Sequence, residues 1–199
     1  REDNKGYIKR ISAAVSALSE KKIKLNCKVC QLVKLYKNGD PFKMSKRAGD
    51  FISAQDLLSE VDKDSIRFMM LNRSNDVEID FDFDKVKEKT KDNPVFYVQY
   101  AYARINSLLR TLNISFVKNI EFNEMDFNLN EIEEKIIRKV FEWPKIIESA
   151  SRKFDLHKIP FYLYELSTLF HAYWSKGNDD KRYKFIENKE IKRKETLAI

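Results

Sequence analysis

Apolar positions change their spacing several times along the chain, and each change marks an element. In "GYIKRISAAVSALSE", Gly6 to Glu20, Ile8, Ile11, Val15 and Leu18 recur at three- and four-residue intervals, which predicts an amphipathic helix. "CQLVKLY" is a short apolar run that reads as a strand. It enters "KNGD", where Asn38-Gly39 supplies the positive backbone angles of a tight hairpin, and the returning arm is Pro41-Phe42. Ser53 caps a short helix over "AQDLLSEV", and "DSIRFMMLNRS" forms a second with Ile66, Met69 and Met70 on one face. "NDVEIDFDFD" then alternates Val77, Ile79, Phe81 and Phe83 with acidic residues, which predicts an extended segment with one face packed.

From Asn93 the period is helical. In "DNPVFYVQYAYARINSLLRTL", Asn93 is the cap and Pro94 takes the first helical position, where its missing N–H costs nothing. The expected apolar face carries Val95, Val98, Tyr102, Ile105, Leu109 and Leu112, while Tyr97, Tyr100 and Arg104 share another side. A polar linker, Asn113 to Asn128, precedes three more helical patterns: "NEIEEKIIRKVFEW", then "KIIESASRKF" after Pro144, then "IPFYLYELSTLFHAYWSK". In the last, His171 and Trp174 are assigned to holding the helices together. The tail from Gly177 is dense in lysine and glutamate, its charge runs read as solvated helix faces, and its final "TLAI" shows no packing partner. The pattern predicts a mainly α architecture with a boundary near Lys85 to Asp92, giving a first domain over 1–88 and a helical one over 89–199.

Composition narrows the class. Charged residues make up 35% of the 199 positions and aromatics 13%, too aromatic for a disordered chain and too charged for a membrane protein. Only 4 glycines and 4 prolines interrupt it, as long helices require. The net charge of +7 favours an anionic partner, of which nucleic acid is the commonest, although general solubility accounts for it too. No run approaches the roughly 18 apolar residues of a membrane span and the N-terminus has no signal-peptide core, so a cytoplasmic protein is expected. Cys27 and Cys30 form one Cys-x-x-Cys, but a structural zinc needs four ligands and the histidines, His157 and His171, are distant, so no metal site is assigned.

One loop carries candidate chemistry. In "PFKMSKRAGDF", Lys43 and Lys46 bracket Met44 and Ser45 just after the hairpin, with Gly49 as a hinge. When a triphosphate is attacked at its α-phosphorus, charge builds on the departing pyrophosphate, and cations aimed there favour the transition state over the ground state. A solvated basic loop would have the same composition.

"KMSK" at Lys43 to Lys46 resembles the second signature of class I aminoacyl-tRNA synthetases. The blocks "QLVKLYKNGDPFKMSKRAGDF", "IRFMMLNRSND", "DFDFD" and above all "DNPVFYVQYAYARI" resemble arginyl-tRNA synthetase over nearly the whole chain. The resemblance implies the end of a class I Rossmann-type catalytic domain, carrying the "KMSK" loop, followed by an all-α anticodon-binding bundle. It implies that Lys43 and Lys46 are catalytic through contacts to the ATP phosphates, with Met44, Ser45, Gly6 and Tyr7 completing the ATP site. Asn4 and Lys5 stand where the family usually has histidine. Tyr97, Tyr100 and Arg104 match positions facing the anticodon loop, where unstacked bases can lie on tyrosine rings and a guanidinium plane; packing between helices is the other use of those tyrosines. The implied partners are tRNA(Arg), ATP with Mg2+, and L-arginine, and the implied state is a monomer. No His-x-Gly-His occurs in the 199 residues, so the chain reads as a C-terminal fragment, trimmed at both ends and inactive alone. The alternatives are a free-standing tRNA-binding module without catalysis, a helical scaffold without RNA, and a related synthetase such as the cysteinyl enzyme.

Overall fold

The computed structural model describes residues 5–42, 52–113 and 128–191, which divide into two compact units, 1–88 with 149–157, and 89–148 with 158–199. The Lys43 to Lys46 loop, Asn4, most of the polar linker and the terminal "TLAI" lie outside the described residues.

The first unit is built on a three-stranded sheet. Strand β1 (Val33–Lys37) turns back on β2 (Asp40–Pro41) through Asn38 and Gly39, both at positive φ (55° and 79°), as the Asn-Gly pair requires. β1 also pairs in parallel with β3 (Ile79–Asp82), Leu35 opposite Phe81. A parallel pair needs a long crossover, and here it contains two helices, α2 (Ala54–Glu60) and α3 (Lys63–Leu71). Ser53 caps α2 in a capping box, its hydroxyl accepting from Asp56 N–H at 3.2 Å and the Asp56 carboxylate accepting from Ser53 N–H at 2.8 Å. Those bonds from Ser53 hold Asp56 below the usual carboxylate range. Phe83 begins α4 (Phe83–Lys87) rather than prolonging the strand, because Asp82 accepts from the N–H groups of Asp84 and Lys85 and caps a helix there. Leu35, Val61, Phe81, Phe83 and Val86 form the buried core, on which Ile66, Met69, Met70 and Phe42 pack. Helix α1 (Lys5–Leu18) has the predicted span, but Ile11 and Leu18 on its apolar stripe are exposed.

The second unit is helical: α5 (Pro94–Thr111), α6 (Glu131–Phe141) and α8 (Lys158–Asp179), with α7 (Trp143–Lys153) beginning at Trp143-Pro144 and shared between the units. Asn93 caps α5, its side-chain oxygen accepting from Val95 N–H at 3.1 Å. The buried face of α5 is Val95, Ala101 and Leu108, and Tyr102, expected on that face, is 66% exposed. A 3.6-residue period is met equally by 98–102 and 98–101; the small Ala101 admits the neighbouring helix closely and a tyrosine would not.

The polar tail holds a second departure. After a 3-10 turn (Lys181–Tyr183), β4 (Ile186–Glu187) and β5 (Glu190–Ile191) form a two-stranded ribbon around Asn188 and Lys189, both at positive φ. Among the described residues of this otherwise helical unit, the ribbon is the one β element. Phe185 at its start is buried against Phe170, Tyr173 and Trp174, with ring centroids 4.7–5.7 Å apart. The crossing depends on Gly177, where an added Cβ would lie 2.9 Å from the Tyr183 carbonyl oxygen. That oxygen is backbone and cannot step aside, so Gly177→Ala is expected to lower stability by about 1–3 kcal/mol, read as a lower melting temperature. An unchanged melting temperature would mean that the turn yields without cost.

Candidate nucleic-acid interface

Residues three and four apart on a helix stand one above the other, so Phe96, Tyr97, Tyr100 and Arg104 line one side of α5. Phe96 and Tyr100 stack with centroids 5.7 Å apart and planes 10° from parallel. α8 brings His171 and Trp174 to the same place. Tyr100 lies 5.5 Å from the imidazole at 27°, and Tyr97 lies 4.4 Å from it and 5.3 Å from Tyr164. The guanidinium carbon of Arg104 sits 4.2 Å from the Tyr100 ring centroid and 4.9 Å from that of Trp174.

Hydrogen bonds order this cluster. Arg104 Nη2 donates to the Tyr100 hydroxyl at 2.9 Å, and Arg104 Nη1 lies 3.1 Å from His171 Nδ1. A guanidinium has no acceptor, so Nδ1 must accept and carries no proton. His171 Nε2 lies 3.0 Å from the Tyr97 carbonyl oxygen, which has no hydrogen, so Nε2–H must donate. The ring is therefore the neutral Nε2–H tautomer. Burial is the main reason its pKa lies below the usual histidine value, and the Arg104 charge pushes the same way.

Tyr100 is 42% exposed, and Tyr164, which packs on Tyr97, is exposed too. Together these side chains offer water-accessible ring faces next to a fixed cation, the equipment for stacking unpaired bases. The structure thus brings together Tyr97, Tyr100 and Arg104, the three residues singled out in the sequence, and adds Phe96, Tyr164 and His171. Their signal was available only in part, since the i, i+4 pairing of Phe96 with Tyr100 is legible but the docking of α8 is not.

The other candidates belong to the first unit. Gly6 and Tyr7 lie in the first turn of α1, with Tyr7 exposed and Arg10 5.9 Å from its ring. Tyr7 lines a cleft of ≈ 480 Å³ with Ile8, Ile11, Cys27, Lys28, Val29 and Cys30, and both cysteines are free thiols. Among the described residues no group of three or more His, Cys, Asp or Glu could hold a metal ion, and no helix is long and apolar enough to cross a membrane.

Residues 98–199 match the profile of the DALR anticodon binding domain. The chain belongs to that family. The DALR match begins within α5 and takes in Tyr100, Arg104, α6 and α8. Along nearly its whole length the chain is also similar to proteins named arginine–tRNA ligase. It is 56% identical to that of Pelagibacter ubique (strain HTCC1062), over 95% of this chain and 33% of that protein. It is 50% identical to that of Ruegeria pomeroyi, over 94% and 33% respectively. The chain therefore spans about a third of the length of the curated relatives it matches. A crystal structure from Campylobacter jejuni, named as an arginyl-tRNA synthetase, superimposes with a TM-score of 0.78 at 26% identity, covering 98% of this chain and 40% of that one. The resemblance carried by "DNPVFYVQYAYARI" and the blocks before it is borne out, as is a mainly helical fold with a mixed sheet ahead of a helical DALR domain.

Proposed function

We propose that the chain is part of a cytoplasmic arginine–tRNA ligase, and that its DALR unit reads the anticodon loop of arginine tRNA through Tyr97, Tyr100 and Arg104. The observation that supports this reading is the exposed Tyr100 ring, held parallel to Phe96 and capped by the Arg104 guanidinium on a DALR fold. A base laid against such a surface gains stacking and a cation–π contact. The net charge of +7 favours the phosphate backbone that must accompany the bases.

The whole enzyme joins L-arginine to ATP as arginyl-adenylate, releases pyrophosphate, and passes the arginyl group to the 3′ end of the tRNA. In that reaction Lys43 and Lys46 stabilise the pyrophosphate as it leaves, Mg2+ accompanies the ATP phosphates, and Met44, Ser45, Gly6 and Tyr7 line the nucleotide. The 199 residues contain no His-x-Gly-His, so this chain by itself is assigned binding rather than ATP–pyrophosphate exchange.

The test is fluorescence anisotropy of the chain with arginine tRNA, against the same tRNA changed at the middle anticodon base, the cytosine that all arginine anticodons share. A preference for the unchanged tRNA is expected. Tyr100→Ala should weaken binding by about 1–3 kcal/mol and abolish the preference, because one stacked base is lost. Equal binding of both tRNAs that depends only on salt would reduce the interface to phosphate contact and refute the reading.

A further inference from the structure

The imidazole of His171 is 6% exposed, yet it touches three of the residues assigned to the interface. It accepts from Arg104 Nη1, donates to the Tyr97 carbonyl, and lies against the Tyr97 and Tyr100 rings. Removing its lone pair would place an N–H against an N–H and a cation against a cation at the Arg104 contact. The guanidinium then has reason to leave, and with it goes the bond that fixes the Tyr100 hydroxyl.

We infer that His171 is a positioning residue of the RNA-stacking surface: as the neutral Nε2–H tautomer it latches Arg104 onto Tyr100, and protonation opens the latch and weakens binding of an unpaired RNA loop. The inference rests on the anticodon-reading assignment and adds a device to it. Among the described residues, the titratable groups that face His171 come from α5, namely Arg104, Tyr97 and Tyr100. The charged groups that α6 brings to α8 are engaged elsewhere, Glu133 accepting from Tyr173 and Lys139 bonding Glu165, while Lys176 of α8 itself lies 3.9 Å from the Tyr183 ring centroid on the 3-10 turn. None of them opposes the Arg104 charge at the imidazole.

The sign separates this latch from ordinary electrostatics. A histidine at an RNA surface gains charge on acidification and strengthens phosphate binding. Here the reverse is expected. Using the 199-residue chain and a labelled anticodon stem-loop of arginine tRNA, affinity should be level near neutral pH and fall progressively as the pH drops below about 6.5, the ordinary histidine value, reaching a roughly tenfold loss once His171 is fully protonated. His171→Asn keeps an acceptor for Arg104 that does not titrate, so it should retain most of the neutral-pH affinity and lose the pH dependence. His171→Ala should bind roughly tenfold more weakly at neutral pH. Affinity that rises in acid, or a His171→Asn profile matching the parent, would overturn the latch.

Failure of the underlying reading looks different. In that case the parent chain binds no stem-loop at neutral pH, or binds it as well after Tyr100→Ala, whatever residue 171 is. The latch is then decided by side-chain nitrogen spectra of the same chain. An Nε2–H tautomer whose titration moves the Arg104 guanidinium signals supports it, and an Nδ1–H tautomer or an Arg104 that ignores the titration refutes it.

Discussion

Glu133→Ala is expected to cost about 3–5 kcal/mol and to leave the helical unit largely unfolded in mild denaturant. Glu133 is the third residue of α6 and is 0% exposed. One carboxyl oxygen accepts from Asn130 N–H at 2.8 Å, closing a capping box in which Asn130 accepts from Ile132 and Glu133 N–H groups at 2.9 and 3.1 Å. The other oxygen accepts from the Tyr173 hydroxyl, and Tyr173 is itself completely buried in the core of the unit. Alanine removes the return half of the cap, worth about 1 kcal/mol. It also takes away the acceptor of the buried tyrosine hydroxyl, a loss of about 1–3 kcal/mol, and leaves a void where the carboxyl stood. Tyr173→Phe makes a graded comparison: it deletes one hydroxyl, keeps the ring packing, and should cost about 1–3 kcal/mol. The chain's 2 tryptophans, Trp143 and Trp174, both lie in this unit, so urea unfolding followed by tryptophan fluorescence reads it selectively. If Glu133→Ala costs less than Tyr173→Phe, the carboxyl is a passenger and the core is held by its rings alone.

What could be read from the sequence was what is encoded locally. Asn38-Gly39 takes the positive angles of a hairpin because those two residues adopt them most cheaply, and Asn93-Pro94 starts a helix whatever packs on it later. The Tyr97, Tyr100 and Arg104 spacing is local in the same sense, since a helix places them on one side before any neighbour arrives. The choice between Ala101 and Tyr102 as the buried residue is not local, because both satisfy the helical period and only the docked helix decides. The fate of Phe185 shows the same limit from the opposite direction. Its surroundings, "KRYKFIENKEIK", are dominated by charge, and the signal for the ribbon is faint: Ile186 and Ile191 flank an Asn-Lys turn. Gly177 gave no warning at all, since a helical glycine becomes necessary only when another backbone crosses over it. His171 could be given a structural role from its apolar neighbours, but its tautomer and its hold on Arg104 follow from partners 67 and 74 residues away.

Phe81→Ala is the corresponding expectation for the first unit, a loss of about 3–5 kcal/mol. Phe81 is fully buried in the middle of β3, faces Leu35 across the parallel pair, and meets the Phe83 ring edge-on at 5.6 Å. Leu35, Val61 and Val86 share the same buried core, so truncation leaves a cavity among residues that strand pairing and helix caps hold in place. Asp80, its exposed neighbour on the other face of the strand, should tolerate alanine within about 0.5 kcal/mol. The unit contains no tryptophan, so the measurement is amide hydrogen exchange over 33–37 and 79–82, where protection should fall by about a hundred- to several-thousandfold. Protection that persists would mean the sheet draws its stability from its edges rather than from this core. The consequence reaches the candidate chemistry through one short arm. Phe42 N–H donates to the Leu35 carbonyl at 2.7 Å, and the Phe42 ring packs on the same core, immediately before Lys43. A loosened β1 therefore loosens Phe42, the residue that precedes Lys43 in the sequence. In the ligase proposed above, Phe81→Ala should depress adenylate formation, read as ATP–pyrophosphate exchange, although Phe81 is not among the residues proposed to line the nucleotide.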